Sequence, residues 1–369
     1  MKQSDGMSGT IDMEPCLQMS PNLLSDMHQF RYIRFQGNDT SYKVNSMDWN
    51  SSGTHLIASS DDSVVRIFDM NGVEVNLIPS KKHGSDCIQW LNDTNTAVFA
   101  SKYETQIGSD VHKIRHLDVE RKTFMHYYCG HERQVTGISI NRNHNCFLSA
   151  SLDNTIRLWD SRLDAQIKPG DRRSLAILKC LGRSVVSFDP LGVVFAVCLQ
   201  MDSSIRLYDL RNYSSGPFTV SRLQPNAAFG EVYGLSFSPN AKMIALSTNG
   251  SQMGVLDAYT LNEMSVLTGF KNELRKELEL SWSPDSNYLF CGSSGAFAGP
   301  GNYGHLNMFN ARTGDHLKNW RSLHEAFTRI VKVNPMYYMI ASACHDISYW
   351  SPTTEVVDDL IEKIEGKTG

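Results

Sequence analysis

The sequence predicts an all-β fold, a seven-bladed β-propeller closed by an N-terminal strand, and three observations carry that prediction. A motif of three short alternating segments recurs along the chain, its copies number seven, and a lone strand-like stretch precedes the first while the last is one strand short.

The clearest copy spans residues 135–160, VTGISINRNHNCFLSASLDNTIRLWD, with Gly130-His131 just before it. Its segments 135–140, 146–151 and 155–159 alternate apolar and polar residues and are separated by polar turns. Period-two alternation of this length means strands, and the turns leave no room for a helix of about ten residues. The frame returns at 44–70, 185–210 and 232–258, and more faintly at 85–119, 278–311 and 327–352. The position after each closing aromatic, or its substitute, is Asp69, Asp118, Asp160, Asp209, Asp257, Asn310 and Ser351, at spacings of 41 to 53 residues. Such spacings suit a four-stranded blade with variable loops.

A small twisted sheet with two apolar faces cannot bury both alone, so the sheets are expected to stack around an axis. The ring must also close. Residues 30–35 (FRYIRF) are predicted to supply the missing outer strand of the seventh blade, leaving no long edge exposed. The expected organisation is a disordered extension over 1–29, the propeller over 30–353, and a flexible tail or short helix over 354–369, where VVDDLIEK has amphipathic spacing.

Composition bounds the function. Hydrophobic residues are 41% and charged residues 20% of the 369, as in an ordinary globular chain. A net charge of −4 provides no global basic field of the kind that drives sequence-independent nucleic-acid binding, so any such contact would have to be local, and no direct sequence-specific nucleic-acid partner is expected. No apolar run reaches 18 residues and no signal-like segment opens the chain, so the expectation is a soluble intracellular protein without a membrane partner. The eight cysteines form no C-x-x-C pair, and neither a metal nor another cofactor is expected.

The motifs that imitate catalytic or ligand sites fit the repeat better. Residues 299–304 spell G-x-G-x-x-G but lack a strand before and a helix after, and read as an expanded turn of blade six over 293–304. His112 and His116 have helical metal-ligand spacing on a strand-like segment, which favours a solvated or partly buried pair.

His131, Ser149 or Ser151, Asp153 and Trp159 match the hydrogen-bonded set of a WD repeat, with the Gly-His before the inner strand and the Trp on the third. A Ser-His-Asp nucleophile is the sharper alternative, but the frame offers no oxyanion hole and no sharp elbow, so a structural role and a chain with no active site of its own are expected. Phe68, Leu117, Tyr208, Leu256 and Phe309 replace the Trp in other copies, and those blades are expected to rely on packing.

Several stretches are not generic to the repeat: 80–84 (SKKHG), 187–190 (SFDP), 207–211 (LYDLR) with 216–218 (GPF), 247–251 (STNGS) with 256–258 (LDA), and 341–344 (ASAC) leading to Trp350 and Pro352-Thr353. Through them, residues 30–353 resemble the WD-repeat subunit shared by COMPASS-type SET-domain histone lysine methyltransferase complexes and a nuclear type-one protein phosphatase complex of transcription termination. The resemblance implies a non-catalytic nuclear adaptor whose partners are a SET-domain methyltransferase subunit, the phosphorylated tail of RNA polymerase II and a phosphatase regulatory subunit. A WD-repeat substrate receptor or scaffold of another machine, such as a ubiquitin ligase, is the competing reading.

Loops entering the inner strands of a propeller gather at one mouth of its channel. Lys43, Lys82, Arg133, Arg183, Arg275 and Arg329 occupy those loops, and the mouth is therefore expected to hold an acidic or phosphorylated peptide.

Overall fold

The computed structural model describes residues 17–35, 42–81, 84–91, 95–102, 111–162, 174–224, 227–294, 304–324 and 327–353. Seven four-stranded antiparallel sheets form the molecule. Their innermost strands are Val44–Trp49, Asp86–Trp90, Val135–Asn141, Ser184–Phe188, Val232–Phe237, Leu280–Trp282 and Ile330–Val333, for blades one to seven. Each touches the inner strands of both neighbouring blades, and the seventh touches the first, so the ring is closed.

Period-two alternation explains the core. One face of blade three, carrying Leu148, Ala150, Ile156 and Leu158, packs against Val186, Phe188, Phe195 and Tyr208 of blade four. Val44, Met47 and Leu56 of blade one meet Ala341, Ala343, Ile347 and Tyr349 of blade seven in the same way. Both faces of a sheet are thus buried by its neighbours, which explains why strands such as Cys146–Ser151 are buried along their whole length.

Side-chain amides tie the turns between first and second strands from blade to blade. Asn141 Nδ2 donates to the Gly192 carbonyl at 2.8 Å, and Asn334 Nδ2 to the Gly53 carbonyl at 2.7 Å. Gly192 has φ +74°, and a Cβ there would stand 2.2 Å from Asn141 Oδ1. Only glycine satisfies both the backbone and the neighbour.

Closure follows the expected plan with a longer strand. Met27–Arg34 lies antiparallel to Asp346–Pro352 as the outer strand of blade seven, from Met27 opposite Pro352 to Arg34 opposite Asp346, with a bulge at Phe30. The extension over 1–29 is not disordered throughout. Its residues 17–29 are ordered: Pro21–Ser25 forms one helical turn, and Met19, Leu24 and Met27 are buried against Tyr288, Phe290, Trp320 and Trp350 of blades six and seven. Backbone bonds to side chains fix the segment, Met19 N donating to Asp285 at 3.0 Å and Ser20 N to the Tyr338 hydroxyl at 3.2 Å. Five apolar side chains (Leu17, Met19, Leu23, Leu24 and Met27) among polar ones do not form a period, and their burial depends on blades encoded some three hundred residues later. The tail over 354–369 and most of the Gly-rich stretch over 293–304 lie outside the described residues.

Candidate partner-binding site: the channel mouth

Blade three is braced as its motif implies. His131 Nδ1 lies 2.8 Å from Asp153, His131 Nε2 lies 2.6 Å from Ser149 Oγ, and Trp159 Nε1 donates to the same Oγ at 2.8 Å. Ser151 stands outside this chain, its hydroxyl donating to the Arg133 carbonyl at 2.9 Å. Burial holds the His131 imidazole below its ordinary value, which leaves it neutral at pH 7. One assignment then satisfies every atom: Trp159 donates to Ser149, Ser149 to Nε2, and Nδ1–H to the carboxylate. Burial works to raise Asp153, but the bond from His131 prevails and holds the carboxyl well below the usual carboxylate range.

Blade seven carries a second complete set that the repeat pattern did not reveal. His324 Nδ1 lies 2.7 Å from Asp346, His324 Nε2 lies 2.9 Å from Ser342, and Trp350 donates to Ser342 at 2.8 Å. Leu323 stands where the motif has glycine. Blades one and four do not rely on packing alone either. Asp62 pairs with Arg66, and Asp202 with Arg206 at 2.7 Å, bridging turn to third strand beside Phe68 and Tyr208.

His112 and His116 are both buried, at 4% and 6% exposure, and the His116 ring stacks beside Tyr128. Among the described residues no group of three or more His, Cys, Asp or Glu is placed to hold a metal ion.

These braces hold the inner strands around a cavity of about 410 Å³ at one end of the channel, lined from all seven blades. Of the six predicted mouth cations, Lys43, Arg183 and Arg329 line it. Arg133 and Arg275 are exposed at the surface, bonded to the carbonyls of Leu152 (3.4 Å) and Ala227 (3.2 Å), and Lys82 lies outside the described residues. Sequence reasoning missed Lys102, which also lines the cavity, and the acids Asp86, Glu277 and Glu279, so the mouth is mixed in charge.

Most of these cations already have partners. Arg183 donates to Glu277 at 3.2 Å and lies 4.5 Å over the Tyr233 ring. Arg329 donates to the carbonyls of Val44 at 3.0 Å and Asn45 at 2.5 Å, and Lys102 pairs with Asp61 and with Asn45 at 2.6 Å. Burial, then the Arg329 and Lys102 charges beside it, lower the Lys43 ammonium from its ordinary value. An anion seated there would relieve that repulsion. Farther along the channel, burial works to lower Lys332, but Glu279 and Asp48 hold it above its usual value.

The family model for the WD domain, G-beta repeat, matches residues 30–69 and 122–160. Each match starts on the outer strand of one blade and ends on the third strand of the next, so the sequence repeat straddles the structural one. Over 314 residues, covering 85% of the chain and 92% of the relative, it is 33% identical to WD repeat-containing protein 82 of Drosophila melanogaster. The chain belongs to the WD repeat-containing protein 82 family. The chain is also 28% identical to the Set1 complex component swd2 of Schizosaccharomyces pombe, covering 73% of each chain. With the COMPASS component SWD2 of Saccharomyces cerevisiae it shares 24% identity over 89% of the chain and 96% of the relative.

Proposed function

We propose that this protein is a non-catalytic scaffold subunit of a nuclear SET-domain histone lysine methyltransferase assembly of COMPASS type. The observation that carries the reading is the likeness, over 73% and 89% of the chain, to two fungal proteins named as components of the Set1 complex and COMPASS. A closed ring with two buried tetrads is a rigid body whose loops present fixed surfaces, which suits a platform role. Purification of the tagged full-length protein from nuclear extract tests it. The expected result is a SET-domain methyltransferase subunit at near-stoichiometric yield; a ubiquitin-ligase machinery in its place overturns the reading.

The finer part of the proposal joins the platform to transcription, through the phosphorylated tail of RNA polymerase II and a type-one phosphatase regulatory subunit. The mouth cations support it, because charge-assisted bonds from Arg and Lys both orient and stabilise a phosphate. Lys43 and Arg329 are the better candidates for that contact, since Arg183 is neutralised by the Glu277 carboxylate whereas Arg329 donates to neutral carbonyls. Calorimetry with a phosphorylated tail peptide is expected to show at least a tenfold loss for Lys43→Glu/Arg329→Glu and a smaller loss for Arg133→Glu/Arg183→Glu. Unchanged affinity in both double variants removes the mouth from the proposal.

A further inference from the structure

A ridge of apolar surface stands on the mouth side of the ring, over the seam between blades three and four. Leu181 and Met201 form it, at 74% and 73% exposure the most exposed large apolar side chains among the described residues. Leu181 lies in the loop entering blade four and Met201 in the turn between its second and third strands. Gly182 has φ +76°, and a Cβ there would stand 2.3 Å from Met201 Cγ, so the methionine lies across the loop backbone beside Leu181.

The loops beneath are fixed. Gly182 N donates to Asn154 Oδ1 at 3.0 Å, Cys180 N to the Asn154 carbonyl at 2.9 Å, and Gln200 N to the Arg183 carbonyl at 3.1 Å. Apolar side chains on pinned turns lose little freedom when covered, which is what a preorganised docking site needs. Their exposure contributes nothing to the fold.

The surroundings select what covers them. Lys179 on the blade-three side and Arg222 on the blade-four side are exposed, and Arg133 lies beyond on the same face. Among the described residues the nearby acids are Glu132, Asp153, Asp202 and Glu277; Asp153 is buried against His131, Asp202 is engaged by Arg206 at 2.7 Å, and Glu277 by Arg183 at 3.2 Å. This is a positive surface around an apolar ridge on a chain of net charge −4. We propose that the ridge docks an acidic segment of a partner protein, with a large apolar side chain seated on Leu181 and Met201 and carboxylates against Lys179 and Arg222. The inference does not depend on which assembly the partner belongs to.

Photo-crosslinking tests it. A benzophenone amino acid replaces Met201 in the full-length protein in nuclear extract, with the same probe at Tyr259, 66% exposed in a turn on the other face of the ring, as control. The expected product joins position 201 to one protein segment with an excess of Asp and Glu around a Leu, Ile, Met or Phe. A synthetic peptide of that segment should bind the unlabelled protein and lose at least tenfold in affinity to Leu181→Asp/Met201→Asp. Lys179→Glu/Arg222→Glu, which leaves the ridge intact, should cost a similar factor that shrinks as salt rises. A yield no higher than at Tyr259, a product with a second copy or with nucleic acid, a segment without acidic excess, or a peptide indifferent to both double variants overturns the proposal. Absence of a methyltransferase subunit from the products bears on the functional reading and leaves the ridge untouched.

Discussion

The Tyr32 hydroxyl donates to the carboxylate of Asp346, the same group that faces Nδ1 of His324. Tyr32 belongs to the closing strand and Asp346 to the strand it pairs with, so the tetrad of blade seven extends across the seam that closes the ring. A brace internal to blade three is, in blade seven, also a clasp between the two ends of the chain.

Tyr32→Phe should therefore loosen the seam by about 1 kcal/mol, the net worth of one hydrogen bond whose acceptor keeps another partner. The pH dependence is specific. Burial and the Asp346 bond push the Tyr32 phenol up to about 12. A raised folded value means that its contribution is complete below the unfolded value of about 10 and is lost as pH climbs towards 12. Urea midpoints between pH 9 and 11.5 should fall less steeply in the variant than in the parent.

Removing the hydroxyl at the centre of either tetrad should cost more. Ser149→Ala strands the Trp159 N–H and His131 Nε2, and Ser342→Ala does the same to Trp350 and His324, each in a dry interior. About 2–3 kcal/mol is expected for each. The two sets lie in different blades, so the double variant should approach the sum. Equilibrium unfolding followed by Trp fluorescence measures all three, and a markedly smaller loss at Ser342 would separate the two sets.

Acid should weaken blade three in two stages. Burial holds His131 below its unfolded value of about 6.5, so the unfolded chain takes up a proton first and stability declines as pH falls through that value and below it. Asp153 is held low in the fold by His131, so its share is lost farther down, below about 3.9. His131→Gln should be less stable at pH 7.5 yet show a flatter midpoint between pH 6.5 and 5.

Leu24 is fully buried under blades six and seven. Leu24→Ala should cost about 2–3 kcal/mol if the segment is part of the cooperative fold. Hydrogen exchange gives the spatial answer: protection should drop in Tyr288–Cys291 and His305–Asn310 before it drops in blade three.

The legible and illegible parts of this molecule divide by range. Blade three could be read because Gly130-His131, Asp153 and Trp159 lie within thirty residues and declare one another. Blade seven hid its tetrad behind Leu323, since the motif is recognised by its glycine while the hydrogen bonds need only the histidine. The order of residues 17–29 was invisible because its cause is tertiary: Met19 and Leu24 are apolar beads on a polar string until Trp320 and Trp350 are in place. At the mouth the loop positions of Lys43, Arg183 and Arg329 were readable, but Glu277 and Glu279 enter from a longer loop of blade six whose path the repeat does not specify.

The pairing of Met27–Arg34 with Asp346–Pro352 also sets a schedule. The strand is made some three hundred residues before its mate: at ordinary translation speeds it leaves the ribosome roughly 15–60 s before its partner. Through that interval an edge-competent strand bearing Phe30 and Ile33 waits without its mate, open to pairing with other chains. Truncation before Asp346 would make that wait permanent, so the protein is expected to be among those that need chaperone shelter until the partner strand Asp346–Pro352 has been synthesised.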